Sequence, residues 1–331
     1  ARDQLTELRA SDLRFTPGEA ATFLNYVMGL DLSVEQITSL KTRTEGWIAG
    51  LQLAALALQG TLSMQGREDV PEFIKAFAGD NRYVVDYLVE EVLQRQPERV
   101  RSFLLQTSIL ERLTGPLCDA VRFGFAETPA SSTGTGVRLG SAKSPAGQQD
   151  GKGMLEALER GNLFVVPLDD RRQWYRYHHL FADVLQAHLM EEQPNQVPIL
   201  HRRASEWYEG NGSPADAVRH ALAAEDYERA ADVAELAWQT MDDTFQSATW
   251  IDWVKHLPEE LIRTRPVLST QYAWALWLGG ELEASEARLR DAERWLDPAG
   301  DMSTRPEGMV VVDEEQFRKL PASIALVRTY N

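Results

Sequence analysis

The sequence predicts a mostly α-helical chain in three parts. These are a helical domain, a winged-helix domain with one short β-hairpin, and the start of a TPR-like α-solenoid. Three observations lead there. Capping boxes open helices at Thr16 and Ser33. Two short β-like runs follow several helices and run straight into another helix at 163–190. From Pro198 onward, Trp, Tyr, Leu and Ala alternate with charge in short helix-turn-helix units.

Residues 1–16 read as an extended entry, with Leu5, Leu8 and Leu13 between charges. Thr16-Pro17-Gly18-Glu19 supplies an N-cap, a proline at the first helical position and a carboxylate at the third. The helix behind it carries Ala21, Phe23, Leu24 and Val27. Ser33-Val34-Glu35-Gln36 repeats the signal. A third helix covers about 46–58, with Trp47, Leu51, Ala54, Ala55 and Leu58 on one stripe. Ile48, Leu53 and Leu56 fill other faces, so this helix is expected to be central. Further helices are expected at 83–93 and 99–110, the first ended by Gln94–Pro97.

Residues 126–153 are rich in Ser, Thr, Gly, Pro and Gln and read as a flexible insertion. Gly136, Gly140, Lys143 and Ser144 within it imitate a phosphate loop. The lysine does not follow the last glycine, so amides and ammonium do not converge on phosphates. A short helix at 154–160, a β-like run at 163–168, a turn at 169–172 and a second β-like run at 173–177 make the hairpin. Pro167 marks its first strand as an edge strand. The chain then passes through His178-His179 into a helix at about 179–190. Helices, hairpin, helix is the winged-helix order.

Thirty-four basic residues against 50 acidic ones give a formal charge of −16. Such a surface disfavours non-specific nucleic-acid binding. Arg171, Arg172 and Arg176 offer a basic wing, yet the helix before it carries Glu156 and Glu159. A carboxylate-bearing reader facing phosphates is unfavourable, so the wing reads as structural. The single Cys118 makes no internal disulfide and fits a reducing, cytoplasmic setting. No apolar run approaches the roughly 20 residues that span a bilayer. The charged, Met-less start reads as a piece of something longer.

No catalytic constellation emerges. Glu90-Glu91, Asp169-Asp170 and Asp242-Asp243 are sequence neighbours, and neighbours on a helix do not converge. The junction at His178 is the candidate site. Histidine changes charge near neutral pH, and a helix N-terminus favours anions. Two readings of His178 stand: a buried, hydrogen-bonded core histidine, and a histidine that contacts phosphate. His179 reads as a helix cap or an exposed residue. The tryptophans 47, 174, 207, 274 and 277 read as packing residues.

Six runs, in order, carry a family resemblance: 5–15, 44–55, 87–93, 103–110, 174–185 and 220–226. Together they resemble the MalT-like, ATP-dependent regulators of the LuxR family, signal-transduction ATPases of the STAND class. The resemblance implies that residues 1–16 are the tail of a nucleotide-binding core. It implies a helical lid at 17–95, a winged helix at 96–192 and the start of a superhelical sensor at 193–331. The family's phosphate loop, Mg²⁺-holding Asp and DNA-binding end have no counterpart, so this segment is not expected to be an enzyme or to touch nucleic acid directly.

Two family motifs map onto the chain. Gly50-Leu51-Gln52-Leu53 takes the place of a Gly-Leu-Pro-Leu motif that lies against the base, with Gln52 where proline stands. Tyr177-His178-His179-Leu180 matches a Met-His-Asp-type motif whose His contacts the β-phosphate of ADP, with His179 where Asp stands. The resemblance thus implies nucleotide contacts from His178, Gly50, Leu51 and Gln52, with ATP or ADP as cofactor in the full-length protein and no tight binding by this segment alone. It implies a switch that couples nucleotide state and inducer to self-association and transcription. The partners implied are its own nucleotide-binding core and a small-molecule or protein inducer on the solenoid. No membrane is expected among its partners. The alternative is a helical scaffold that binds a protein or effector and has no nucleotide role.

Overall fold

The computed structural model describes residues 14–64, 70–76, 88–124, 150–161, 163–296 and 306–330. Most of the entry at 1–16, the phosphate-loop imitation and most of the 126–153 insertion lie outside the described residues, as does the first half of the helix expected at 83–93. The chain divides into two compact units, with the break at Val197–Pro198.

The first unit opens as the capping boxes direct. Thr16 accepts from the Glu19 amide at 3.3 Å, and the Glu19 carboxylate accepts from the Thr16 amide at 2.8 Å. Helix α1 (Pro17–Ala21) follows and passes into a π-helical turn, Thr22–Val27. Ser33 and Gln36 make the same reciprocal pair ahead of α2 (Val34–Arg43). Next come α3 (Ile48–Met64), α4 (Val70–Ala76) and a second π-helical turn, Leu88–Leu93.

Two expectations for this part change. Val27 is exposed, as is Tyr26, whereas Ala20 and Leu24 are buried. The Met28 amide donates to Phe23 five residues back, and each such wider turn rotates the apolar stripe away from its 3.6-residue register. Helix α3 buries Leu51, Ala54, Ala55 and Leu58, as expected, but leaves Ile48, Gln52 and Leu56 exposed. Four residues apart, these three form one open face rather than a fully enclosed helix.

The winged helix is built from α5 (Glu98–Thr107), α6 (Gly115–Phe123), α7 (Gly151–Arg160), the hairpin β1 (Val165–Pro167) and β2 (Tyr175–Tyr177), and α8 (His179–Glu192). Phe103, Leu117, Val121, Leu155, Phe181 and Leu185 are fully buried in its core. The strands are antiparallel, with Val165 opposite Tyr177 and Pro167 opposite Tyr175. A bridge from Leu113 to Tyr175 covers the other side of β2, so Pro167 sits on the outer strand. Asp169 closes the turn by accepting from the amides of Gln173 and Trp174. Along β2, Tyr175 and Tyr177 point inward and Arg176 points to the opposite face.

Helix α7 begins three residues earlier than the sequence suggested. Asp150 caps it by accepting from the Gly153 amide at 2.8 Å, and the Gly151 amide donates to Asp119 at 3.0 Å. A Cβ on Gly151 would lie 2.5 Å from the Gly115 carbonyl oxygen. Gly151, which read as linker, is there because two helices touch, and Gly153 because the Asp150 cap lies against it.

The second unit is a succession of helices: α9 (Val197–Gly210), α10 (Pro214–Ala223), α11 (Tyr227–Asp243), α12 (Ser247–Lys255), α13 (Glu259–Arg263), α14 (Pro266–Leu278), α15 (Leu282–Glu293) and α16 (Glu314–Tyr330). Neighbours in sequence pack as pairs, α10 on α11 and α14 on α15, with α16 laid against α14. Tight turns separate them. Glu225 takes a left-handed φ before α11, and Gly280 does so between α14 and α15. Trp250 is fully buried and donates to the Ala234 carbonyl at 2.8 Å. Helix α16 starts at Glu314, not at Leu320-Pro321. Asp313 caps it, and Pro321 lies inside the helix between the buried Leu320 and Ile324. Apolar packing on both sides outweighs the one amide that proline removes.

Candidate functional site

The site forms where the end of α2 meets the end of β2. Helix α2 stops at Thr44, and the next two residues turn left-handed: Glu45 at φ 51° and Gly46 at φ 74°. Gly46 is required there, because a Cβ would meet the Phe15 carbonyl oxygen at 2.7 Å. The turn aims the Thr44 carbonyl and the Glu45 side chain at the winged helix. On the facing side the His178 amide donates to the Phe164 carbonyl at 2.7 Å, and His178 becomes the N-cap residue of α8.

His178 is buried, and its Nε2 lies 2.9 Å from the Thr44 carbonyl oxygen. Its Nδ1 is buried without a hydrogen-bond partner. The rings of Trp47 and Phe164 meet the imidazole edge-on, at centroid distances of 5.9 and 6.1 Å. Burial pulls the His178 pKa below its ordinary value, against the Glu45 carboxylate and the Thr44 hydrogen bond, which both favour the charged ring. At neutral pH the resting ring is therefore neutral.

Glu45 gathers the charges. Arg176 grips it with both guanidinium arms at 2.7 and 2.8 Å, and Arg14 approaches at 3.3 Å. The His179 amide, the first of α8, donates to the same carboxylate at 3.4 Å, and the His179 ring lies 3.6 Å away. Burial raises the Glu45 pKa, but the Arg176 hydrogen bonds and the surrounding positive charge outweigh that and hold it at about 2. The anion at this helix N-terminus is thus an internal one, supplied by the chain itself.

The residues singled out by sequence fall into two sets. His178 and Gly50 belong together through Trp47: a Cβ on Gly50 would lie 2.6 Å from the Trp47 ring, which in turn packs on Phe164 and His178. Leu51 points into the core, and Gln52 lies on the open face of α3. His179 is largely exposed. Sequence reading did not identify Thr44, Glu45 or Arg14. The signal for Glu45 was its place before Gly46 at a helix end, where a left-handed pair reverses the chain. Arg172 and Arg176 of the wing engage Glu159 and Glu45. Among the described residues, no group of three or more His, Cys, Asp and Glu is placed to hold a metal. Burial pushes the Cys118 thiol up and leaves it inert.

Comparison with known proteins covers the winged helix and most of the chain. The family model described as the MalT winged helix domain matches residues 89–124 and 139–197 and steps over 125–138, which overlaps the first half of the expected insertion. The chain is 31% identical over 330 residues to the HTH-type transcriptional regulator MalT of Yersinia enterocolitica, covering 98% of the chain and 32% of that relative. It is 34% identical over 273 residues to the serine/threonine-protein kinase PknK of Mycobacterium tuberculosis, covering 82% of the chain and 22% of the kinase. The chain thus spans about a third of one relative and about a fifth of the other.

Proposed function

The chain is a MalT-like segment with a MalT-type winged helix, and from that premise we propose that it is the regulatory switch of a nucleotide-dependent transcriptional activator. In this reading, ADP closes the helical element and winged helix onto a nucleotide-binding core. ATP with an inducer opens them and permits self-association. The switch is a bistable arrangement biased by unequal contacts to two nucleotides.

The observation that carries the reading is the junction itself. One turn, Thr44–Trp47, binds the winged helix through His178 and Arg176, so the helical element and the winged helix share a cluster of polar contacts that a ligand can strengthen or break. The relatives add support. One is named a transcriptional regulator and another a kinase, so a segment shared by both fits regulation better than either output. His178 is the proposed phosphate contact. Gly50 positions Trp47 beside it. Leu51 is buried in this conformation, so contact with the base falls to Gln52 and its neighbours Ile48 and Leu56 on the open face of α3. In the second unit, a cleft of about 500 Å³ lined by Arg202, Asp226, Tyr227, Glu228, Leu261 and Thr264 offers a concavity for an inducer.

The test is His178→Ala in the longer regulator that carries this segment. ADP is expected to dissociate faster and basal transcription to rise. Unchanged ADP dissociation together with unchanged basal transcription overturns the reading.

A further inference from the structure

One hydrogen bond decides which nitrogen of His178 carries its proton. Nε2 faces the Thr44 carbonyl oxygen at 2.9 Å. A carbonyl oxygen only accepts, so the proton of the neutral ring sits on Nε2. The same carbonyl also accepts from the Trp47 amide at 2.8 Å, which fixes its direction. Nδ1 is then a bare lone pair, buried and without a partner. A lone pair donates nothing to a phosphoryl oxygen and repels its charge.

We propose that His178 engages a phosphoryl group only as an imidazolium, so that seating the phosphate takes up one proton from solution. This rests on the phosphate role proposed above. In the bound state, Nε2–H stays on the Thr44 carbonyl and the new Nδ1–H points to a phosphoryl oxygen, so both ring nitrogens donate and the buried orphan gains a partner. The charged groups around the ring leave it poised. From the α2–α3 turn, the Glu45 carboxylate favours the imidazolium. Arg14, before α1, and Arg176, on β2, oppose it, as does burial. Trp47 and Phe164 bring rings without charge, and the exposed His179 ring at the start of α8 lies 3.6 Å from the Glu45 carboxylate. A phosphoryl dianion adds the second negative charge that tips the balance.

Two measurements test this. In the 331-residue chain without ligand, ¹⁵N-histidine NMR at neutral pH is expected to show His178 as the neutral Nε2–H form. An Nδ1–H form overturns the proposal, because that nitrogen would already be able to donate. In the longer regulator, calorimetry of ADP binding in buffers of different ionisation enthalpy is expected to show about one more proton taken up by the natural protein than by His178→Gln. Subtraction removes the ionisation of ADP itself, which both proteins share. Over the range where free His178 is neutral, the ADP Kd is expected to rise about tenfold per pH unit relative to the variant. Weaker ADP binding by His178→Gln with no difference in proton uptake overturns the proposal and leaves the phosphate role standing. Equal ADP binding by the natural protein, His178→Gln and His178→Ala overturns both.

Discussion

At the scale of single residues, Glu45 is the centre of the junction, because one carboxylate satisfies two guanidinium groups and the first amide of α8. Glu45→Gln keeps the shape and removes the charge. A loss of about 1.5–3 kcal/mol is expected at pH 7, as for other hydrogen bonds to charged groups, and urea unfolding reads it. The pH dependence has a fixed sign. The folded pKa of about 2 lies below the ordinary 4.5, so the stabilisation is complete above 4.5 and is lost as pH falls toward 2. The gap between the natural protein and Glu45→Gln is expected to close across that window. Gly50→Ala drives a Cβ into the Trp47 ring, which cannot retreat without disturbing Phe164 and His178. A destabilisation of about 1–3 kcal/mol is expected in thermal unfolding. The sequence made His178 visible, because a strand pattern stops and a helix pattern starts there. It hid Glu45, because the Arg176 partner is 131 residues away and no local pattern links them.

At the scale of elements, what was legible was what is local. The capping boxes at Thr16 and Ser33, the closed turn at Asp169 and the outer position of Pro167 all follow from neighbours in the chain. What was not legible depended on contact. The π-helical turn at Thr22–Val27 leaves no mark in residue type, and it moved Val27 from the buried side to solvent. The start of α7 was hidden because Gly151 and Gly153 have a linker's composition, yet the first packs on another helix and the second makes room for the cap. Gly151→Ala tests that role. Its Cβ would meet a backbone oxygen of Gly115 at 2.5 Å, and a backbone atom yields less readily than a side chain. A loss of about 1–3 kcal/mol is expected in the unfolding of the winged helix. A neutral result would return these residues to the linker.

At the scale of the whole molecule, an acidic chain has to manage its carboxylates, and the second unit does so around one buried cation. Arg265 is 1% exposed and binds Asp232 at 2.6 Å and Glu228 at 2.8 Å. Nearby, the buried Glu235 accepts from the amides of Val312 and Asp313, just ahead of α16. Arg265→Leu removes those charge-assisted hydrogen bonds, but Glu228 and Asp232 are exposed enough for water to replace the arginine. About 1–3 kcal/mol of stability is expected to go, seen as a lowered melting temperature of the chain. The division into helical part, winged helix and helix pairs was readable from composition and order, whereas this charge cluster was not, since its carboxylates lie on α11, its arginine just ahead of α14 and its amide donors just ahead of α16. The junction has one last property. Trp47 stands edge-on to His178 at 5.9 Å. A protonated imidazole quenches the emission of a neighbouring indole and a neutral one does so weakly. The natural protein therefore carries its own optical indicator, one that dims when His178 gains charge and needs no attached dye.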